Sequence, residues 1–226
     1  MDSRAVAAAR NNAEWCDLVC GTHGINTTFE PDVWVAQRRS PPLYPDAVTL
    51  SDRPSAGDVV RRVDSSTGCS VKDSFASVDL SPEGFRLLFD AEWIYREPTE
   101  HPAGVAAGWS LVRTPDQLRT WAAAHGGGEV FRPALVNDLA VAIVVAYDDQ
   151  GVAAGAIGNR SASVVGVSNL FAVTADEDQA WAGAIAAISV RFPGMPLVGY
   201  ENDAGLLAAH RAGFVTVGPL RVWLKD

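Results

Sequence analysis

Positive charge is scarce in this sequence and forms no stripe. Lys and Arg number 18 against 27 Asp and Glu, giving a net charge of -9. A nucleic-acid binder needs a basic face to neutralise phosphates. Here "QRRS" and "VVRRV" are isolated pairs, so nucleic acid is not expected as a partner. Cysteine is equally sparse, at 3 residues, too few for a disulfide framework. The opening "MDSRAVAAARNNAEW" lacks the apolar core of a signal peptide. A reducing, cytoplasmic location is therefore expected. Long apolar runs are missing as well. "LAVAIVVAY" and "GVAAGAIG" are strand-sized, well short of the roughly 18 residues of a membrane helix, and no membrane partner is expected. Cys16, Cys20 and His23 supply only three ligands, with no second cysteine pair at zinc spacing, and buried helix cysteines are the better account of them. No metal site is expected. Gly-rich dinucleotide and P-loop motifs are absent. "GVSNL" ends in Leu170 where a serine nucleophile elbow needs glycine.

What is present is an ordinary globular composition: 226 residues, 48% hydrophobic and 20% charged, enough for one large domain or two small ones. The N-terminal stretch "RAVAAARNNAEWCDLVCG" predicts a helix, with Trp15, Leu18, Val19 and Cys20 near one face. The Pro-rich "RRSPPLYPDAVTL" predicts extended chain ending in a short strand. "SAGDVVRRVD" predicts a helix capped by Ser55, and "FRLLFDAEWIYREP" a long strand stopped by Pro98. Residues 97–107, "EPTEHPAGVAA", mark a boundary, so regions 1–105 and 106–226 are expected. Beyond it the pattern is regular. "GWSLVR" is a strand. "TPDQLRTWAAAHGGG" is a helix with Thr114 as N-cap, Pro115 in the first turn and a glycine stop. Three strands follow, joined by hairpin turns at "DDQG" and "GNRSA". A helix from about Asp178 to Arg191 comes next, then strand "MPLVGYE", helix "DAGLLAAHRAGF" and strand "VTVGPLRVWLK". The order β-α-β-β-β-α-β-α-β makes the strands flanking the long helix parallel.

Three stretches of this region carry a family resemblance. "VSNLFAV" is followed by a helix with Gln179, Ala182 and Ala184 at the spacing Gln/Arg-x-x-Gly-x-Gly/Ala. "NDAGLLAAHRAGF" has Asn202 early in a helix that ends on Gly213 and Phe214. An apolar and aromatic strand closes the chain. With the element order, residues 107–226 resemble the C-terminal core of the GNAT acyltransferase superfamily. The resemblance implies an α+β fold: a mixed central sheet with helices on both faces, plus an N-terminal α+β extension that could be a degenerate half of the same fold. It implies acetyl-CoA or another acyl-CoA as donor and an amine, on a small molecule or a protein, as acceptor. It places the pantetheine arm against the backbone of Leu170, Phe171, Ala172 and Val173. The pyrophosphate falls to Gln179 with the first-turn groups of Ala180, Trp181, Ala182, Gly183 and Ala184, because a helix N-terminus offers unpaired N–H groups and a positive dipole end. Asn202 would support the far end of the donor.

Acyl transfer also needs proton movement. The resemblance implies a tyrosine donor seven residues after Asn202, where this chain has Ala209. Glu201, Tyr200 and His210 are the candidate acid or base groups. Tyr200 and Glu201 alternate along a strand, so only one of them faces a given side. His210 also reads as a surface residue near a helix end, and Glu201 as a cap neighbour. Asp176, Glu177 and Asp178 beside the phosphate loop would repel a phosphate. Two functions remain open: an N-acyltransferase, or a catalytically inactive binding or interaction module of the same fold, with a homodimer as one assembly to test. The acidic surface suits a basic acceptor such as a polyamine or aminoglycoside.

Overall fold

The computed structural model describes residues 1–98 and 108–226. The boundary expected at 105/106 lies outside the described residues. The chain forms two compact units, Met1–Trp93 with Thr216–Asp226, and Ile94–Val215.

The first unit begins with helix α1 (Ser3–Thr22), started by Asp2, whose carboxylate accepts from the Arg4 N–H. Strands β1 (Thr27–Phe29), β2 (Val33–Ala36) and β3 (Ala47–Thr49), helix α2 (Ala56–Val60) and strand β4 (Ser70–Asp73) follow. The long strand β5 (Phe85–Arg96) gives the unit its residues up to Trp93. Strand order is β1-β2-β3-β4-β11-β5, where β11 is Val215–Lys225. Alternation sends Trp34 and Ala36 toward α1, against Ala13, Cys16 and Cys20. Val33 and Val35 point the other way, against Val59 of α2 and Val71. Burial pushes the Cys16 thiol up to about 12, so this side chain behaves as an apolar one.

The second unit contains β6 (Trp109–Leu111), α3 (Pro115–His125), β7 (Val141–Asp148), β8 (Gly151–Arg160), β9 (Val165–Ala172), α4 (Glu177–Arg191), β10 (Leu197–Glu201) and α5 (Asp203–Arg211). Its strands lie in the order β10-β9-β8-β7-β6. Neighbours are antiparallel except β9 and β10, which are parallel as the crossover helix requires. The α3 start matches expectation: Thr114 and Gln117 form a reciprocal capping box, and Gly126 ends the helix at φ 85°.

Helices cover both faces of this sheet, and two glycines let them close in. A Cβ on Gly158 would lie 2.9 Å from Ile188 of α4. A Cβ on Gly155, three residues earlier and on the opposite face, would collide with Trp121 of α3 and with Phe171. The α4 face holds the larger core, in which Trp181, Ala184, Ile185 and Ile188 pack on Val144, Ala156, Val165, Val167 and Leu197. Phe214 joins it edge-on to Trp181 at 5.3 Å. The mixed sheet with helices on both faces agrees with the fold class read from the sequence.

Candidate active site

The site is organised by what β9 and β10 do not share. Their pairing consists of Leu197 with Val165 and Val198 with Gly166. Beyond these pairs Val167 and Gly199 still touch, and Ser168–Ala172 and Tyr200–Glu201 are not paired with each other, leaving a fork. Gly199 stands at its apex, where a Cβ would lie 2.8 Å from the Val167 carbonyl oxygen. On the other edge β9 stays bonded to β8: the Val173 N–H donates to the Ala153 carbonyl at 2.8 Å. Backbone N–H groups alternate sides along a strand. Those of Leu170 and Ala172 therefore face the fork, while Val173, which was expected to contribute there, is committed to β8.

Paired residues in a sheet share a face, which sorts the side chains around the fork. Val167 pairs with Gly158 and belongs to the α4 side; Ser168 pairs with Ile157 on the α3 side. Leu170 packs against the α4-side core. Phe171 meets the rings of Trp121 and His125 on the α3 side at 5.2 and 5.4 Å. On β10 alternation places Leu197, Gly199 and Glu201 on the α4 side, and Val198 and Tyr200 on the α3 side. The two candidates that could not share a face are thus assigned: Glu201 to the side of α4 and α5, Tyr200 to that of α3.

Glu201 is only partly accessible and lies against α5, where a Cβ on Gly205 would be 2.6 Å from its carboxylate. Burial, helped by the negative charge of Glu177, raises its pKa to about 7. A carboxyl group tuned to neutrality can hold or release a proton at physiological pH. Ala209, in the position where the family resemblance implies tyrosine, is fully buried in the core, and His210 beside it is exposed. His125 has another character. It stacks on Trp121 at 5.2 Å with 7° between planes, its Nδ1 is buried without a hydrogen-bond partner among the described residues, and burial lowers its pKa.

The start of α4 is built differently from the expected loop. Asp176 is the N-cap, and its carboxylate accepts from the N–H groups of Asp178 and Gln179 at 3.0 and 3.3 Å. The Ala180 N–H bonds the Asp176 carbonyl at 2.9 Å. Trp181, Ala182, Gly183 and Ala184 lie inside the helix, where N–H groups are used four residues back. Gly183 is small for packing: a Cβ there would collide with the Trp109 indole. Ala184 is buried, and Ala182 and Gln179 are exposed. Asp178 is held by Arg211 of α5 through a bidentate pair, with Nε to both carboxylate oxygens at 3.0 Å and Nη2 at 2.7 Å. That contact lowers the Asp178 pKa and raises that of Arg211. Asn202 occupies the N-cap of α5 without a side-chain capping bond. Among the described residues, no group of three or more His, Cys, Asp or Glu could hold a metal ion.

From the sequence, Ser168 enters only as the serine of the incomplete nucleophile elbow "GVSNL", and Asn169 has no role. The signal available was an asparagine inside an apolar strand, a residue that strands disfavour and bulges accept.

No family model matches the sequence, and neither does any curated protein. Solved structures do match. A GCN5-related N-acetyltransferase from Kribbella flavida superposes with a TM-score of 0.65 at 13% identity, over 97% of this chain and 95% of its own. A functionally unknown conserved protein from Staphylococcus epidermidis gives 0.61 at 14% identity, over 89% and 94%. A GCN5-related N-acetyltransferase-like protein from Streptococcus suis gives 0.55 at 10%, over 99% of each. The likeness is one of fold: this chain has the fold of the GNAT superfamily.

Proposed function

We propose that this protein is an N-acyltransferase that moves an acetyl or other acyl group from acyl-CoA to an amine. The observation that carries the reading is the fork between β9 and β10. It leaves the Leu170 and Ala172 N–H groups unpaired by a neighbouring strand, at the edge where a pantetheine amide and a thioester carbonyl need donors. Gln179 and the turn before α4 would meet the phosphates, and Asn202 the far end of the donor. Glu201, holding its proton to about pH 7 on the α4 side, serves as the proton donor to the leaving thiolate, a role open in this chain because position 209 is alanine. The acceptor approaches from the α3 side, past Ser168, Tyr200 and Phe171. It is an amine on a small molecule or a protein, and the setting is the cytoplasm.

A second reading has a specific observation behind it. The Asp176 carboxylate occupies the N–H groups of Asp178 and Gln179, with Glu177 and Asp178 beside it. A chain whose anion site is filled by its own carboxylate could keep the fold as an inactive binding module, including as a homodimer. Calorimetric titration of acetyl-CoA into the wild type and Gln179→Ala separates the two. Micromolar binding, weakened in the variant, is the result expected of the acyltransferase. No binding up to about millimolar, which corresponds to about 4 kcal/mol, supports the inactive module.

A further inference from the structure

Ser168 and Asn169 stand at an irregularity in β9. Gly155 pairs with Phe171 and Ile157 with Ser168, so three steps along β9 match two along β8 and β9 carries one extra residue. The bulge is turned by Asn169 at φ 53°, the left-handed region that glycine enters freely and asparagine at a cost. For the backbone alone, glycine would serve better. What asparagine adds is its amide: Nδ2 donates to Ser168 Oγ at 2.9 Å. A serine oxygen has two lone pairs and one proton. The Asn169 bond takes one lone pair and so confines the other lone pair and the proton to the two remaining directions. Both residues are half-buried, and Ser168 faces the α3 side next to the fork.

We propose that Ser168 is a catalytic residue whose oxygen receives an N–H of the attacking amine, and that Asn169 is the positioning residue that aims it. The inference rests on the acyltransferase reading above. In the transfer, the amine lone pair forms the new C–N bond and the C–S electron pair leaves on sulfur. The proton shed by nitrogen passes to Ser168 Oγ as the hydroxyl proton moves to solvent. Sulfur takes its proton from Glu201 on the opposite face, and Glu201 recovers one from water, leaving amide and thiol. Strain at Asn169 is then retained for function, which is where backbone outliers concentrate.

The test uses acetyl-CoA with hydroxylamine, a compact nucleophile, and follows thiol release. Acetyl-CoA affinity and thermal stability are measured on the same variants. Ser168→Ala should lower kcat about tenfold to a hundredfold, the worth of a charge-assisted hydrogen bond, with acetyl-CoA affinity unchanged. Ser168→Thr should restore part of the loss. Asn169→Gly, which relaxes the backbone, should keep or raise the melting temperature while lowering kcat to a similar degree. Wild-type kcat in Ser168→Ala, or in Asn169→Gly, overturns this inference and leaves the acyltransferase reading standing. A wild type that binds acetyl-CoA but releases no thiol above the uncatalysed rate removes the transfer, and this inference with it. A wild type that does neither removes the donor site as well.

Discussion

Glu201 keeps a proton that an exposed glutamate has lost by pH 5. The cost of burying its charge, increased by Glu177, moves its pKa from 4.5 to about 7. The folded state therefore binds this proton more tightly than the unfolded chain does. The favourable contribution is complete below about pH 4.5 and is lost as pH rises through 7. Glu201→Gln removes the titration. It should stabilise the protein at pH 8 by about 1–3 kcal/mol with no gain at pH 4, as read from urea denaturation at both pH values. The same substitution should depress thiol release below pH 7, where the wild-type group is a proton donor. Equal stability changes at both pH values would separate Glu201 from the titration. Tyr200 and Glu201 also show what one strand assignment decides. Their alternation was legible in the sequence; which side each takes follows from the Leu197–Val165 and Val198–Gly166 register, which no local pattern specifies.

At the scale of elements, α4 has two uses for one end. Its first turn is stabilised by Asp176, and the family resemblance places a phosphate there. A cap carboxylate and a phosphate compete for the same N–H groups and repel each other. Asp176→Ala should cost about 1 kcal/mol, a fall of roughly 2–4 °C in melting temperature for a chain of this length. It should also tighten acetyl-CoA binding, because two N–H groups are freed and one negative charge goes. Unchanged or weaker binding would place the phosphates elsewhere. Helix α4 itself was legible from its alanine-rich apolar pattern, and α3 from Thr114, Pro115 and the glycine stop. The start of α4 was legible to within one residue, expected at about Asp178 and found at Glu177; what was not legible is that the Asp176 carboxylate takes the N–H groups of Asp178 and Gln179. Strands β1, β2 and β4 are three or four residues long, too short to show a period, and they form because neighbouring strands supply their partners.

Across the whole molecule, the parallel crossover and the hairpins of the Ile94–Val215 unit followed from element order and turn residues, since short connections and right-handed crossovers leave few arrangements, while helices on both faces followed from the family resemblance. The fork was legible in no local pattern, since "VGVSNLFAV" reads as a continuous strand; only the family resemblance, which places the pantetheine arm against the backbone of Leu170 to Val173, implied free backbone groups there. The last pair of β9 with β10 is Gly166 with Val198, a matter of tertiary geometry. The central claim is that this fork receives the acyl donor. Amide hydrogen exchange, with and without CoA, tests it most directly. The Leu170 and Ala172 N–H groups should exchange quickly in the free protein and slow markedly on CoA addition, while Val173, already bonded to Ala153, changes little. Unchanged exchange at Leu170 and Ala172 under saturating CoA, or protection confined to other strands, would contradict the claim.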